Sequence, residues 1–190
     1  MKRVLSCTFL CLVLLVQICC GQAKKPLVFR KQALETVKIR SLEGWKEAIS
    51  DDGRLRVLFP NDFVVVNSGD RGRFQGFKFK SDDASWVAYY TDSTHSRSTD
   101  EELRAAYRGS VEALTKKGAK LLKQDDIILN DRLGIEFVLQ NSFATSYLRS
   151  FLIGDRQYIL SVDVNNMKDS SGSIPQNIQQ FFDSFTFWEQ

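Results

Sequence analysis

Tyr147-Leu148-Arg149-Ser150-Phe151-Leu152-Ile153-Gly154-Asp155-Arg156-Gln157-Tyr158-Ile159-Leu160-Ser161-Val162-Asp163-Val164 is the run that decides the fold. Tyr147, Arg149, Phe151 and Ile153 alternate with Leu148, Ser150 and Leu152, the period of two that a sheet imposes on its faces. Gly154-Asp155 then offers a two-residue turn, with glycine supplying the positive φ that tight hairpins require. On the return, Tyr158, Leu160, Val162 and Val164 share one face; Gln157, Ile159, Ser161 and Asp163 share the other. A polar loop over 165–173 leads to Pro175, which suits the first turn of a helix. Ile178, Phe181, Phe182 and Phe185 follow at i, i+3, i+4 and i+7, one apolar stripe. A sheet face and a helix stripe must bury against each other, so residues 142–188 imply a two-layer core.

Upstream, residues 121–129 and 134–139 read as two strands joined at Asn130-Asp131. The clearest helix precedes them. Thr99 and Glu102 form a T-x-x-E capping box, which satisfies two orphaned backbone donors. Leu103, Tyr107, Val111 and Leu114 make its buried stripe, Lys116 and Lys117 sit at its cation-favouring end, and Gly118 is placed to follow the cap. Before the helix, Phe74, Phe77 and Phe79 alternate with lysines and turn at 81–84 into Trp86–Tyr90, a hairpin with an aromatic face. Tyr89 and Tyr90 must point to opposite sides, which predicts that one of them meets solvent or a helix edge.

Residues 45–49, 55–59 and 63–66 are three short strands, separated by Asp51-Asp52-Gly53 and by Pro60-Asn61-Asp62, both turn signals. The count is seven or eight strands and two helices in an antiparallel order. That order predicts an α+β domain over 45–190, a central antiparallel β-sheet with helices packed on its faces. Residues 22–44 read as an N-terminal extension that packs loosely or not at all.

Lys2 and Arg3 precede an apolar run from Leu5 to Cys20, the pattern of a secretory signal peptide cleaved after Gly21. The run is shorter than the roughly 20 residues of a membrane span. Lipidation at Cys19 or Cys20, or an uncleaved anchor, are the other fates of this segment, and only these would bring the protein to a membrane. All four cysteines (Cys7, Cys11, Cys19, Cys20) lie within it. A mature chain from residue 22 therefore has no disulfide available and must be held by burial. Without Lys2 and Arg3, 24 basic residues face 23 acidic ones, a charge of +1. The charges are interspersed, so no basic face points to nucleic acid. A secreted or periplasmic location follows, and the absence of an N-x-[ST] sequon favours a bacterial source.

One histidine in 190 residues removes most catalytic constellations. A serine triad would have to use His95, which sits in a polar loop without a nucleophile elbow. Zinc needs several His or Cys ligands, and no calcium or phosphate loop is present. The adjacent carboxylates Asp51-Asp52, Asp82-Asp83, Glu101-Glu102 and Asp125-Asp126 are better explained by turn and cap chemistry. No catalytic residue, cofactor or metal is expected. The loops 67–73 and 91–98 carry Arg71, Arg73, His95 and Arg97, and they are the expected contact surface for a protein partner in the cell envelope.

The run Trp45-Lys46-Glu47 through Leu55-Arg56-Val57-Leu58-Phe59-Pro60 is similar to the opening of PsbP-like domains. The likeness continues through Gly118-Ala119-Lys120, Leu133-Gly134-Ile135-Glu136, Arg149 to Ile153, Gln157 to Val162 and Phe181-Phe182-Asp183-Ser184-Phe185. The chain thus resembles a secreted bacterial member of the PsbP-like family over 45–188. The resemblance implies an α/β/α sandwich and, since family members are mostly adaptors and assembly or binding factors, a non-enzymatic binding module. Two alternatives remain at this point. A carrier would need an apolar cavity among Phe77, Phe79, Trp86, Tyr158 and Phe182. An envelope enzyme would need distant carboxylates converging in a cleft with a raised pKa.

Overall fold

The structure, a computed structural model, describes residues 31–33, 44–67, 74–92, 99–165 and 171–188. The elements are β1 (Lys31–Ala33), β2 (Lys46–Ile49), β3 (Leu55–Phe59), β4 (Val64–Asn67), β5 (Phe74–Lys80) and β6 (Ala84–Asp92), then helix α1 (Asp100–Lys116). They continue with β7 (Lys120–Leu129), β8 (Arg132–Gln140), β9 (Ala144–Ile153), β10 (Arg156–Asn165), helix α2 (Gln176–Asp183) and β11 (Thr186–Phe187). Residues 1–21, the expected signal peptide, lie outside the described residues.

Seven strands form the antiparallel run β7-β8-β9-β10-β6-β5-β4, and β1 joins it in parallel beside β7. Residues 31–33 of the N-terminal extension thus reach the sheet as an edge strand, contrary to the expected loose packing. The opening hairpin also departs from the single sheet that the strand order predicts. β2 and β3 pair with each other and with β11 in a separate three-stranded sheet. Leu55, Val57 and Phe59 are buried in the core, which draws this hairpin onto the larger sheet rather than into line with it.

The deciding hairpin is as the sequence reads. Tyr158 pairs with Phe151 and Leu160 with Arg149, and Gly154 turns the chain at φ 63°. Asn130 and Asp131 take positive φ in the tight turn between β7 and β8. Helix α1 begins at the predicted capping box, with Thr99 Oγ1 accepting from Glu102 N–H and Glu102 Oε2 accepting from Thr99 N–H. It ends in a Schellman motif: Ala119 N–H donates to Leu114 O, Gly118 N–H to Thr115 O, and Gly118 supplies φ 93°. Helix α2 stops at Asp183, so Phe185 lies beyond it yet remains buried.

The core divides by strand parity. One cluster takes Trp86, Ala88 and Tyr90 of β6, Tyr147 and Phe151 of β9, and Leu160 and Val162 of β10, together with Ile178, Phe181 and Phe182 of α2. The other takes the alternate residues Val87, Tyr89, Leu148 and Ile159, together with Tyr107, Val111 and Leu114 of α1. Tyr89 and Tyr90 are therefore both buried, one in each cluster; of the two expected environments, solvent or a helix edge, Tyr89 takes the second, in the cluster that includes α1. Burial pushes the Tyr107 phenol up to about 12, although its hydroxyl donates to Ser150 O at 3.4 Å.

Candidate functional site

Arg71, Arg73, His95 and Arg97 lie outside the described residues. The strand ends that carry their loops are described, and they meet. Phe74 at the start of β5 pairs with Thr91 near the end of β6, and the next β6 residue, Asp92, pairs with Arg156 at the start of β10. Loops 68–73 and 93–98 therefore leave the sheet from neighbouring strands at one end.

That end is held by Arg156. The Gly154-Asp155 turn fixes it as the first residue of the return strand, opposite Ile153 and Asp92. Its Nε donates to Asp92 Oδ1 at 2.7 Å, its other arm reaches Asp52 Oδ2, and its guanidinium carbon stands 3.7 Å from the centroid of the Tyr90 ring. Asp52 belongs to the β2–β3 turn, where it also accepts from Ser50 Oγ at 2.7 Å and Arg54 N–H at 3.0 Å. Burial works to raise the Asp52 carboxyl, but the bonds from Arg156, Ser50 and the Arg54 backbone outweigh it and hold it below its ordinary value. Burial likewise works against the charged form of Arg156, and Asp92 and Asp52 more than restore it. Gln75 completes the cluster: its Oε1 accepts from Asp51 N–H at 3.1 Å and from the Tyr90 hydroxyl at 3.4 Å. Three segments far apart in sequence are thus pinned to one guanidinium.

A second charged constellation sits in mid-sheet. Arg149 and Glu136 face each other across β9 and β8, and Arg149 Nε donates to Glu136 Oε2 at 2.7 Å. The other Glu136 oxygen accepts from Lys123 Nζ at 2.7 Å, and Lys123 also contacts Asp125 at 3.2 Å. Arg149 Nη1 donates to Asp183 Oδ1 of α2 at 2.9 Å, and its guanidinium lies 4.9 Å from the Phe182 ring centroid. Burial works to lower the Lys123 ammonium, but Glu136 and Asp125 prevail and raise it. Hydrophobic alternation could not announce this network, because Arg149 occupies a core-facing position like Tyr147 and Phe151.

Of the paired carboxylates, turn chemistry holds for Asp52 and capping for Glu102, but Asp126 is spent on an ion pair. It accepts from Arg104 Nε of α1 at 2.8 Å, tying that helix to β7. Asp163 is the carboxyl that burial raises; Ser146 Oγ donates to it at 2.6 Å and Lys78 also acts on it, both offsetting part of the rise. The groups that act on it are a hydroxyl and an ammonium. Among the described residues no three His, Cys, Asp or Glu side chains are grouped to hold a metal ion, and no helix is long and apolar enough to cross a membrane.

Of the five aromatic side chains named for a carrier cavity, Phe77, Trp86, Tyr158 and Phe182 each stand against a ring from outside that set. Trp86 meets Phe181 edge-on at 5.4 Å and Trp45 at 6.2 Å, Phe77 meets Phe63 at 5.3 Å, Tyr158 meets Phe185 at 5.6 Å, and Phe182 meets Phe181 at 5.7 Å. These are ordinary centroid spacings for packed rings.

No family model and no curated protein matches the chain. Among solved structures it is similar to cyanobacterial PsbP from Synechocystis, with a TM-score of 0.54 and 12% identity over 78% of this chain and 95% of that one. Lower similarities are to the Ran-binding protein Mog1p of Saccharomyces cerevisiae, with a TM-score of 0.46 and 16% identity over 75% of this chain and 95% of that one. A Bacteroides thetaiotaomicron protein follows at 0.40 and 11%, over 77% and 50%. At 12% identity the first likeness is one of fold: this chain has a PsbP-like fold, dominated by its antiparallel sheet.

Proposed function

We propose that this chain is a secreted or periplasmic, non-enzymatic binding or assembly module, built as an α/β/α sandwich. The layering is supported by strand parity, since α1 and α2 contribute to clusters that use alternate residues of the same strands. The location is supported by the basic, apolar and small-residue pattern of residues 1–21. The absence of enzymatic chemistry is supported by the fate of the buried charges. Glu136, Arg149, Asp126 and Arg156 each contact an opposite charge, which commits them to holding elements together.

The observation that carries the reading is the pairing of Phe74 with Thr91 beside the Arg156 clamp. It brings the roots of both arginine-bearing loops to one end of a rigid sheet. Binding residues are characteristically presented on loops positioned by such a scaffold. Arg71, Arg73, His95 and Arg97 are the proposed contacts, and the partner is a protein of the cell envelope.

Native mass spectrometry of the protein isolated gently from its host's envelope fraction tests this. The expected result is a stoichiometric protein companion that is lost in the Arg71→Glu/Arg73→Glu/Arg97→Glu variant. A chain that carries only a reproducible small mass would overturn the module in favour of a carrier.

A further inference from the structure

Asp52-Gly53 is the only Asp-Gly step in the sequence, which has no Asn-Gly. Such a step can react with itself, because glycine has no side chain to keep its nitrogen away from the neighbouring carboxyl carbon. The step lies in the β2–β3 turn. There Gly53 takes φ 71°, and apart from its chain neighbours no atom comes within 4 Å of the place a Cβ would occupy. The Asp52 side chain is 32% exposed, so water reaches it.

Sequence and space thus favour attack, and the bonding opposes it. The Gly53 N–H donates to Ser50 O at 2.8 Å, which ties down the attacking nitrogen. One oxygen of the Asp52 carboxylate is held by Ser50 Oγ and Arg54 N–H, the other by Arg156. Of these donors only Arg156 comes from outside the turn, 104 positions downstream. Arg54 Nε, 4.0 Å from the same oxygen, is too far to replace it.

We propose that Asp52 is an isomerisation site kept closed by Arg156, and that its conversion to isoaspartate releases the β2–β3 turn from the clamp. The chemistry needs only water. Gly53 N bonds to Asp52 Cγ, and one carboxyl oxygen leaves as water with the amide proton and the carboxyl proton. A five-membered succinimide remains. Water then adds at the Asp52 main-chain carbonyl and breaks its bond to Gly53 N, so one water is released and one consumed. The main chain now runs through Cγ, one carbon longer, and the former main-chain carbonyl is the free carboxylate. The first step uses the neutral carboxyl, since a carboxylate oxygen is a poor leaving group. Arg156 therefore closes the site twice, by favouring the charged form and by fixing an oxygen. After conversion the carboxylate no longer meets Ser50 and Arg156 together. Asp92 keeps its bond to Arg156, so β6 and β10 stay tied while the turn comes free.

The full chain, as its host processes it, is incubated at neutral pH and physiological temperature beside three variants. Isoaspartate at position 52 is read by peptide mapping with electron-transfer fragmentation, which separates it from aspartate of equal mass. It should accumulate at least about tenfold faster in Arg156→Ala than in wild type. Arg156→Lys keeps the cation but not the fork that spans Asp52 and Asp92, and should fall between the two. Arg104→Ala breaks the ion pair to Asp126 and leaves the turn untouched, so it should keep the wild-type rate. Equal rates in wild type, Arg156→Lys and Arg156→Ala would overturn the proposal. So would an equal rise in Arg104→Ala, which would trace the reaction to lost stability alone. In the isoaspartyl fraction of aged wild type, the amides of Ser50, Gly53 and Leu55 should lose hydrogen-exchange protection while residues 84–92 keep theirs; a turn that stays protected would overturn the release. Each readout is made on the chain by itself, so this proposal and the binding-module reading stand or fall separately.

Discussion

The protein builds the same constellation twice, from one arginine, two carboxylates and one aromatic ring, and sets the copies in different surroundings. Arg149 is 3% exposed and its partner Glu136 5%, in the middle of the sheet beneath α2. Arg156 is 10% exposed, but its partners Asp52 and Asp92 are 32% and 37% exposed, at the end where the loops leave. Coulombic attraction is similar in kind at both places. What differs is the water that each charge would recover if its partner were removed. A buried charge left alone bears the whole desolvation cost, whereas a charge at the rim is rehydrated. The inner constellation is thus an obligatory joint between sheet and closing helix, and the outer one a clamp that adjusts to pH.

The largest test of this contrast is Arg149→Ala. With Lys123 as its remaining cation, Glu136 stays buried and Asp183 loses its tie, at an expected cost of about 3–5 kcal/mol by denaturant unfolding. Replacing both members, as Arg149→Met with Glu136→Leu, should recover most of it, since apolar substitutes carry no desolvation cost. A double variant as unstable as the single one would show that the arginine works by shape rather than charge. Phe182→Ala removes the ring under Arg149 and a fully packed side chain, with an expected loss of about 3–5 kcal/mol. A loss below about 1 kcal/mol would dissolve the joint as described.

Arg156→Ala should cost less, about 1–2 kcal/mol, because Asp52 and Asp92 regain water and the Tyr90 contact contributes the smaller part. A loss equal to that of Arg149→Ala would erase the distinction between the two copies. The finest test is pH. The Asp52 carboxyl is held below its ordinary value in the fold. Its pairing therefore stabilises the protein above about pH 4, the unfolded value, and that contribution is lost as pH falls through the lowered folded value. The gap between wild type and Arg156→Ala should narrow on acidification from pH 7 to pH 3; an unchanged gap would mean that Asp52 is not the clamp's working partner.

Local pattern made much of the fold legible. The hairpin 147–164 and helix α1 carry alternation, a turn glycine, a capping box and a C-terminal glycine within a few residues of one another, and all of these appear where expected. What stayed hidden was non-local. Arg156 and Asp52 are 104 positions apart and Arg149 and Asp183 are 34 apart, and nothing in the neighbourhood of either arginine names its partner. β11, two residues long, has no period to detect. Its pairing with β3 moved the opening hairpin into a second sheet. Composition alone marks the candidate contact loops; that the strand ends carrying them are neighbours follows from the register of β5, β6 and β10.

That late pairing also orders events during synthesis. β3 receives Thr186 and Phe187 beside Arg56 and Leu55, and Leu58 N–H donates to the Ser184 hydroxyl, 126 positions downstream. The β2–β3 hairpin waits for residues 184–187 before this pairing can form. Its apolar side chains, Leu55, Val57 and Phe59, share their core with Phe181, Phe185 and Phe187, so the burial of this early hairpin is completed only by residues synthesised well after it.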